Sequence, residues 1–219
     1  MINVNTETVW IEAPSVYDRS LIDLLSESAA RHKHLCPRQV LGARMGLLAA
    51  RELQIDLPRD DTRASSPSAG KRLLIIIETD GCFADGLSAA TGCSIGHRTL
   101  RLIDHGKIAA TFIDTETHQA VRIVPKRSSR VTAARYAPLA RSRWHAQLEA
   151  YQIMAGAELF DVQHVELTLS LEKLLSKPSA KAVCDRCGEE IVNEREVIQD
   201  GQTLCRSCAG DGYWRIANK

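Results

Sequence analysis

Residues 72–79 read RLLIIIET, a run of leucine and isoleucine bounded by polar residues. A run of this kind, without polar alternation, is typical of a strand that is buried on both faces. We therefore expect this strand to form the centre of the sheet. The stretch TDGCFADG at 79–86 follows it and predicts a turn, then a short helix over 84–90 that ends at Thr91-Gly92.

The segments around this strand predict grouped helices and a meander of strands. Helices are expected over 16–30, 36–53 and 141–155, the second with Pro37 at its first position and the third with Trp144, Leu148, Tyr151 and Ala155 along one face. Strands are expected over 99–104 and 108–114, joined as a hairpin at His105-Gly106, and over 120–124 and 162–169. Residues 56–70, which are rich in proline and serine, predict a surface loop. This order is typical of an α+β fold with a mixed or antiparallel sheet.

The composition is that of an ordinary globular protein, with 44% hydrophobic residues, 25% charged residues and a formal net charge of +1. It excludes the disordered, collagen-like and coiled-coil classes. No apolar run approaches the roughly 18–20 residues that a membrane-spanning helix needs, and the N-terminus lacks a basic stretch followed by an apolar one. We expect a cytoplasmic protein that does not enter a membrane.

Four of the seven cysteines form two closely spaced pairs near the C-terminus. Seventeen residues separate the pair Cys184 and Cys187 from the pair Cys205 and Cys208. Each pair can direct two thiolates at one ion, and the intervening length suits a small hairpin that returns the second pair to the first. The pattern predicts a zinc ribbon whose zinc is structural, since four thiolates leave no open position. The alternative, four reduced cysteines without metal, makes the paired spacing a coincidence.

A second cluster of potential ligands is HKHLCP at 32–37. In an extended segment, alternate side chains project to the same side, so that His32, His34 and Cys36 could converge on one metal or substrate. Pro37 disfavours helical backbone at Cys36 and opens the next helix, which leaves this thiol near a helix N-terminus that favours a thiolate. The alternative is that the histidines are solvated and Cys36 is a small buried group.

Two further cysteines flank the short helix that follows the buried strand. Cys82 lies at the strand end, where functional sites are often built, and Asp85 could cap the helix or act in a site. The spacing alone favours a structural role for Cys93.

These motifs together resemble the formylmethanofuran dehydrogenase FmdE family. That family has an HGHLCPG motif leading into a helix, a cysteine and aspartate motif after a strand, a TGCTFG turn and a D-x-G-K hairpin. The resemblance covers nearly the whole chain apart from the 56–70 segment, but Lys33 and Arg38 stand where the family usually has glycine. The matching residues are His32, His34, Cys36, Pro37, Cys82, Asp85, Thr91, Gly92, Cys93, Gly96, Asp104, Gly106 and Lys107.

The resemblance implies an α+β core domain at 1–176 that tends to form a homodimer, and a zinc ribbon at 177–219. It also implies a second divalent metal, with zinc as one identity, at His34, Cys36 and Cys82, with His32 and Cys93 as additional candidate ligands. It does not imply formylmethanofuran oxidation, because that reaction needs a pterin cofactor and the chain is too small to bind one as the catalytic component would.

Three classes of function stay open at this point. The first is a metal-binding accessory or metal-handling protein, linked to molybdenum or tungsten enzyme metabolism. The second is a small metal-dependent enzyme with an open position at the His/Cys site, where Asp85 or Lys107 would transfer protons, although no catalytic activity can be assigned from the sequence. The third is a nucleic-acid-binding regulator that uses the ribbon and a basic stretch, for which a solvated helix face is the simpler interpretation. The stretch contains Arg122, Lys126, Arg127, Arg130, Arg135, Arg141 and Arg143.

Overall fold

The computed structural model describes residues 20–57, 71–176 and 179–217, with the side chains of Arg31 and His32 excepted. The chain divides into two units, Met1–Glu166 and Leu167–Lys219. Within the described ranges, no helix has the length and apolar character that crossing a membrane requires.

The first unit contains six helices and five strands among its described residues. The helices are α1 Leu21–His32, α2 Pro37–Glu52, α3 Cys82–Thr91, α4 Ser129–Tyr136, α5 Arg143–Ile153 and α6 Gly156–Leu159. The strands are β1 Leu73–Ile77, β2 Leu100–Leu102, β3 Ala110–Asp114, β4 Ala120–Pro125 and β5 Phe160–His164. This combination confirms the predicted α+β class.

The five strands form one mixed sheet in the order β2-β1-β3-β4-β5. β1 runs parallel to β2 and antiparallel to β3, and the remaining pairs are antiparallel. All five residues of β1 are buried, as the apolar run predicts. The strand is an inner one, but the middle position belongs to β3.

The predicted hairpin between residues 99–104 and 108–114 is wrong. β1 lies between β2 and β3, so these two consecutive strands do not pair. The connection instead crosses the end of β1, where the backbone N–H groups of His105 and Lys107 both donate to the Glu78 carbonyl. A β2–β3 hairpin would leave one edge of the fully buried β1 without a partner strand, and buried backbone groups require one.

The core lies between one face of the sheet and the helices. Alternate residues of the inner strands, such as Ile75 and Phe112, pack there against Val40 of α2, Leu87 of α3 and Tyr151 of α5. In α5 the buried face is formed by Ala146, Ala150 and Tyr151, whereas Trp144 is 44% exposed and does not lie on it as predicted.

Other predicted bounds shift by a few residues. α1 begins after Ser20, whose hydroxyl accepts a hydrogen bond from the Asp23 backbone N–H, and the predicted start at residue 16 lies outside the described residues. α3 begins two residues earlier than predicted, and β5 covers Phe160–His164 instead of 162–169. Most of the predicted 56–70 loop, residues 58–70, also lies outside the described residues.

The second unit contains a short helix and two hairpins. These elements are α7 Leu171–Leu175, β6 Lys181–Val183, β7 Glu190–Val192, β8 Val197–Gln199 and β9 Gln202–Leu204, followed by a helical turn at Ser207–Asp211. β6 pairs with β7 and β8 with β9. The buried cluster here consists of Cys184, Ile191 and Leu204, which is a small core for a unit of this length.

Candidate metal centres

The four cysteines of the second unit converge on one point. Their sulfur atoms all lie within 4.8 Å of one another. Cys184 follows β6 and Cys205 follows β9, so the two hairpins bring the two pairs together. The first pair is closed by a tight turn in which the Gly188 N–H donates to the Cys184 carbonyl at 2.9 Å, and Gly188 has φ of +74°, a conformation that favours glycine.

Backbone N–H groups also point at the sulfur atoms of this cluster. The Cys205 N–H donates to Cys184 Sγ at 3.2 Å, and the Cys208 N–H donates to Cys205 Sγ at 3.5 Å. Hydrogen bonds from the backbone of Cys205 and Cys187 lower the pKa of Cys184 to about 6. The backbone of these turns therefore stabilises a thiolate even without a bound ion.

The same cluster cannot hold four negative charges by itself. The hydrogen bond with Cys205 and burial raise the pKa of Cys208 to about 12, with further contributions from Cys184 and Cys187. A divalent cation removes this conflict, because it binds all four sulfur atoms as thiolates. The donor set and its closeness fit a tetrahedral zinc ion in a structural role.

The second candidate centre lies where α2 and α3 begin side by side. The two helices are parallel: Gln39 of α2 contacts Gly86 of α3, and Gly46, further along α2, meets Thr91 at the end of α3. A Cβ on Gly86 would lie 2.0 Å from the Gln39 carbonyl oxygen, and one on Gly42 would lie 2.2 Å from that of Phe83. Only glycine allows the two backbones to approach this closely.

This close approach brings two thiols into contact. Cys36 is the N-cap of α2 and Cys82 is the first residue of α3, and their side chains are hydrogen-bonded to each other. Burial raises the pKa of the Cys82 thiol, and the contact with Cys36 raises it further. Cys36 is buried and Cys82 is half-buried.

Gln39 fixes the backbone at Cys36. Its side-chain oxygen accepts the Cys36 N–H at 2.7 Å, while its side-chain nitrogen donates to the carbonyl and the hydroxyl of Ser28 in α1 at 3.0 and 2.9 Å. All three bonds are buried, and Gln39 itself is fully buried. The side chain therefore links α1 to the start of α2 and holds Cys36 in its place.

Of the other predicted site residues, Asp85 interacts with this pair. Asp85 is in the first turn of α3 and interacts electrostatically with Cys82. His34 is exposed, the side chain of His32 is not described, and Lys107 is exposed in the turn that crosses the end of β1. Among the described residues, a group of three or more His, Cys, Asp or Glu ligand atoms is found in the ribbon cluster alone.

Cys93 is not brought to the Cys36–Cys82 pair. It lies beyond the opposite end of α3, is 4% exposed, and its thiol donates to the Leu73 carbonyl at 3.5 Å. Burial also raises the pKa of this thiol. These surroundings are those of a structural cysteine.

Sequence reasoning missed a buried ion pair beside the same strand end. Glu78, directly after β1, accepts two hydrogen bonds from Arg122 of β4, at 2.6 Å from Nε and 2.9 Å from Nη2. These bonds lower the pKa of Glu78, and Lys107 and His105 lower it further. The signal in the sequence is a glutamate that directly ends an apolar run, where a buried carboxylate needs a cation.

Part of the basic stretch is used inside the fold. Arg122 pairs with Glu78, Lys126 lies 3.6 Å from an Asp161 oxygen, and Arg141 donates to His145 Nε2 at 2.7 Å. Arg127, Arg130 and Arg143 are exposed. The described ribbon residues 179–217 contain five basic and seven acidic side chains, a balance that does not favour contact with phosphates.

Comparisons with known proteins match the two units of the chain separately. The sequence profile described as "FmdE, Molybdenum formylmethanofuran dehydrogenase operon" matches residues 31–168, and that of the prokaryotic dksA/traR C4-type zinc finger matches residues 178–211. The fold is similar to the crystal structure of a tungsten formylmethanofuran dehydrogenase FmdE-like protein from Syntrophus aciditrophicus, with a TM-score of 0.58, 20% identity, and coverage of 94% of this chain and 100% of that one.

A curated relative extends the comparison. A probable S-adenosyl-L-methionine-binding protein of Archaeoglobus fulgidus is 28% identical over 232 residues, which covers 95% of this chain. The chain spans 58% of the length of that relative. The match of the first profile to more than half of the chain confirms the resemblance seen in the motifs. The chain belongs to the FmdE family and carries a C4-type zinc finger at its C-terminal end.

Proposed function

We propose that this protein is a metal-binding accessory protein that handles a divalent metal ion at the start of α2 and α3. The ribbon would hold a structural zinc ion, and Cys36, Cys82 and His34 would hold the second ion. The observation that supports the second site is the contact between two thiols at adjacent helix N-termini. A bound cation displaces the protons of such thiols, and thiolate sulfur binds soft and borderline metals such as zinc.

The role in metal handling follows from the exposure of this pair. Cys82 is half-buried and His34 is exposed, so an ion could reach the site and leave it without unfolding of the helices. A permanently structural ion is instead enclosed, as in the four-thiolate ribbon. We extend the proposal to molybdenum or tungsten enzyme metabolism, with which the FmdE family name is associated.

Metal content per chain tests this proposal. Protein purified under reducing conditions should contain two metal ions per chain, Cys36→Ser should contain one, and Cys187→Ser should also contain one, with the other ion retained. The matched control is Cys93→Ser, which changes a cysteine remote from both centres and should keep both ions. One zinc ion in both the wild type and Cys36→Ser would overturn the proposal, since the ribbon alone would then hold metal.

A metal-dependent enzyme is the second candidate, and one observation favours it. Asp85 interacts with Cys82 and could exchange protons with a water molecule on a bound ion. Asp85→Asn separates the two roles. If the protein handles metal, the variant should pass the ion to a competing chelator at nearly the wild-type rate. If the protein is an enzyme, the variant should lose turnover while its metal content stays unchanged.

The homodimer is part of the proposal as well. It rests on the resemblance to the FmdE family, whose members tend to dimerise. Sedimentation equilibrium should give a mass of two chains of 24.2 kDa, and a concentration-independent mass of one chain would contradict it.

A further inference from the structure

The pair Cys36 and Cys82 has a property that metal binding does not require. The side chains of Cys36 and Cys82 are hydrogen-bonded to each other across the starts of α2 and α3. Each thiol lies about one helical turn before the residues where the α2 and α3 backbones touch, at Gln39 and Gly86. Backbones held this close one turn further on allow the two cysteines to reach the separation that a disulfide needs.

The other five cysteines differ from this pair. Cys93 is buried, and its thiol is hydrogen-bonded to the Leu73 carbonyl, Thr91 and Thr99. The four ribbon cysteines form one cluster whose sulfur atoms suit a single zinc ion. Cys36 and Cys82 are therefore the two cysteines outside the ribbon that have a thiol as neighbour.

The two thiols also differ in their access to solvent. Cys82 is half-buried, whereas Cys36 is 7% exposed. A small oxidant can reach Cys82 first, and Cys36 is placed behind it as the thiol that completes the reaction.

We propose that Cys36 and Cys82 form a site of reversible thiol–disulfide exchange, with a low-molecular-weight disulfide such as oxidised glutathione as its substrate. The Cys82 thiolate attacks one sulfur of the small disulfide, which releases one thiol and leaves a mixed disulfide on Cys82. The Cys36 thiolate then attacks Cys82 Sγ and releases the second thiol. The protein loses two electrons and two protons, and the small disulfide gains both.

This exchange has a consequence for the metal site. A disulfide removes both thiolates, so an ion held by Cys36 and Cys82 leaves when the bond forms. This consequence rests on the proposed function, whereas formation of the bond does not. Oxidation would thus release the second ion and leave the zinc of the ribbon in place.

Mass spectrometry of the full chain treated with oxidised glutathione tests the exchange. Trypsin places Cys36 on peptide 34–38 but places Cys82 and Cys93 together on peptide 73–98. The experiment therefore uses the Cys93→Ala variant beside the wild type, so that a link to peptide 73–98 identifies Cys82. We expect a disulfide between these two peptides, removed by dithiothreitol. Glutathione adducts without the link, or unmodified cysteines, would overturn the proposal.

Single variants test the order of attack. Cys36→Ser should retain glutathione on Cys82, because the second thiol is absent. Cys82→Ser should leave the buried Cys36 unmodified on the same time scale. Circular dichroism checks that both variants are folded. Modification of Cys36 in the second variant would reject Cys82 as the entry point.

The metal count of the reduced protein separates this inference from the proposed function. Two ions that fall to one upon oxidation, together with the linked peptides, support both. A linked peptide from a protein that contains ribbon zinc alone would support the exchange and reject the second metal site. Two ions without a linked peptide would support the metal site and reject the exchange.

Discussion

At the scale of single residues, Asp114 shows how one carboxylate can fix the ends of two paired strands, β1 and β3. It ends β3 opposite Leu73, and Arg72, just before β1, donates to both of its oxygens, the shortest bond being 2.8 Å from Nη2. The backbone N–H of Glu116 donates to the same carboxylate at 2.9 Å. The Arg72 hydrogen bond is the main reason that the pKa of Asp114 is lowered to about 2.

We expect Asp114→Asn to lower the free energy of unfolding by about 2 kcal/mol at pH 7, since each unit of pKa depression contributes about 1.4 kcal/mol. The folded pKa lies below the ordinary value of 3.8, so this contribution is present above pH 4 and is lost as the pH falls towards 2. Urea unfolding of both proteins from pH 7 to pH 2.5 measures it. Both proteins contain the ribbon, so its response to acid cancels in the difference between their free energies of unfolding. A difference that is constant with pH would contradict the lowered pKa of Asp114.

Gln39 is the residue on which the position of Cys36 depends. We expect Gln39→Met, which keeps the length of the side chain but removes its polar atoms, to cost about 2–4 kcal/mol, because the Cys36 N–H loses its acceptor and the Ser28 groups lose their donor. Thermal unfolding measures this loss. Gln119→Met, at an exposed position, is the matched control and should be nearly neutral.

The same variant has a second readout at the candidate metal site. If Gln39 positions Cys36, then the Gln39→Met variant should hold its second metal ion more weakly while the ribbon zinc is unchanged. A variant that is destabilised but binds the second ion with wild-type affinity would show that Gln39 supports the helices alone.

At the scale of elements, the close approach of α2 and α3 depends on glycine residues at their contact. We expect Gly86→Ala to lower stability by about 3 kcal/mol or more, because the added methyl group would meet the Gln39 carbonyl at 2.0 Å and the backbones would have to separate. Gly96→Ala is the control, since a Cβ there meets nothing within 4 Å. Thermal unfolding compares them, and equal melting temperatures for the two variants would contradict the close approach.

The sequence predicts most elements but not how they pair. Apolar continuity at 72–79 and the Cys36-Pro37 start of α2 are local signals, and both elements are confirmed. The wrong hairpin shows the limit of such signals, because the turn at His105-Gly106 suits both a hairpin and a connection across β1. Burial of β1 on both edges decides between them, and it is a property of the assembled sheet.

The candidate site is predictable to the same extent. The motifs single out Cys36 and Cys82, and the structure brings these thiols together, but their contact depends on the backbone approach at Gly42 and Gly86. Helical spacing places Gly42 and Gly46 on one face of α2, a pattern that could have predicted close packing. Nothing local to Cys93 predicts that its thiol faces the Leu73 carbonyl.

At the scale of the whole molecule, the two units differ in what holds them together. The first has a large apolar core between helices and sheet, whereas the second buries Cys184, Ile191 and Leu204. A core of three residues supplies too little apolar burial for a stable fold, so the zinc ion must supply much of the folding free energy of the ribbon.

Removal of zinc should therefore unfold the ribbon and leave the first unit folded. Hydrogen exchange measured by mass spectrometry, with and without a chelator, should show loss of protection in β6 to β9 and unchanged protection in β1, β3 and β4. Cys187→Ser without chelator should give the same pattern, and it separates the ribbon from any ion that the chelator removes at Cys36 and Cys82. Protection lost from both units together would mean that the first unit depends on the ribbon for its stability. Ribbon strands that stay protected without zinc would mean instead that their burial suffices, and the four cysteines would then need another explanation than structural zinc.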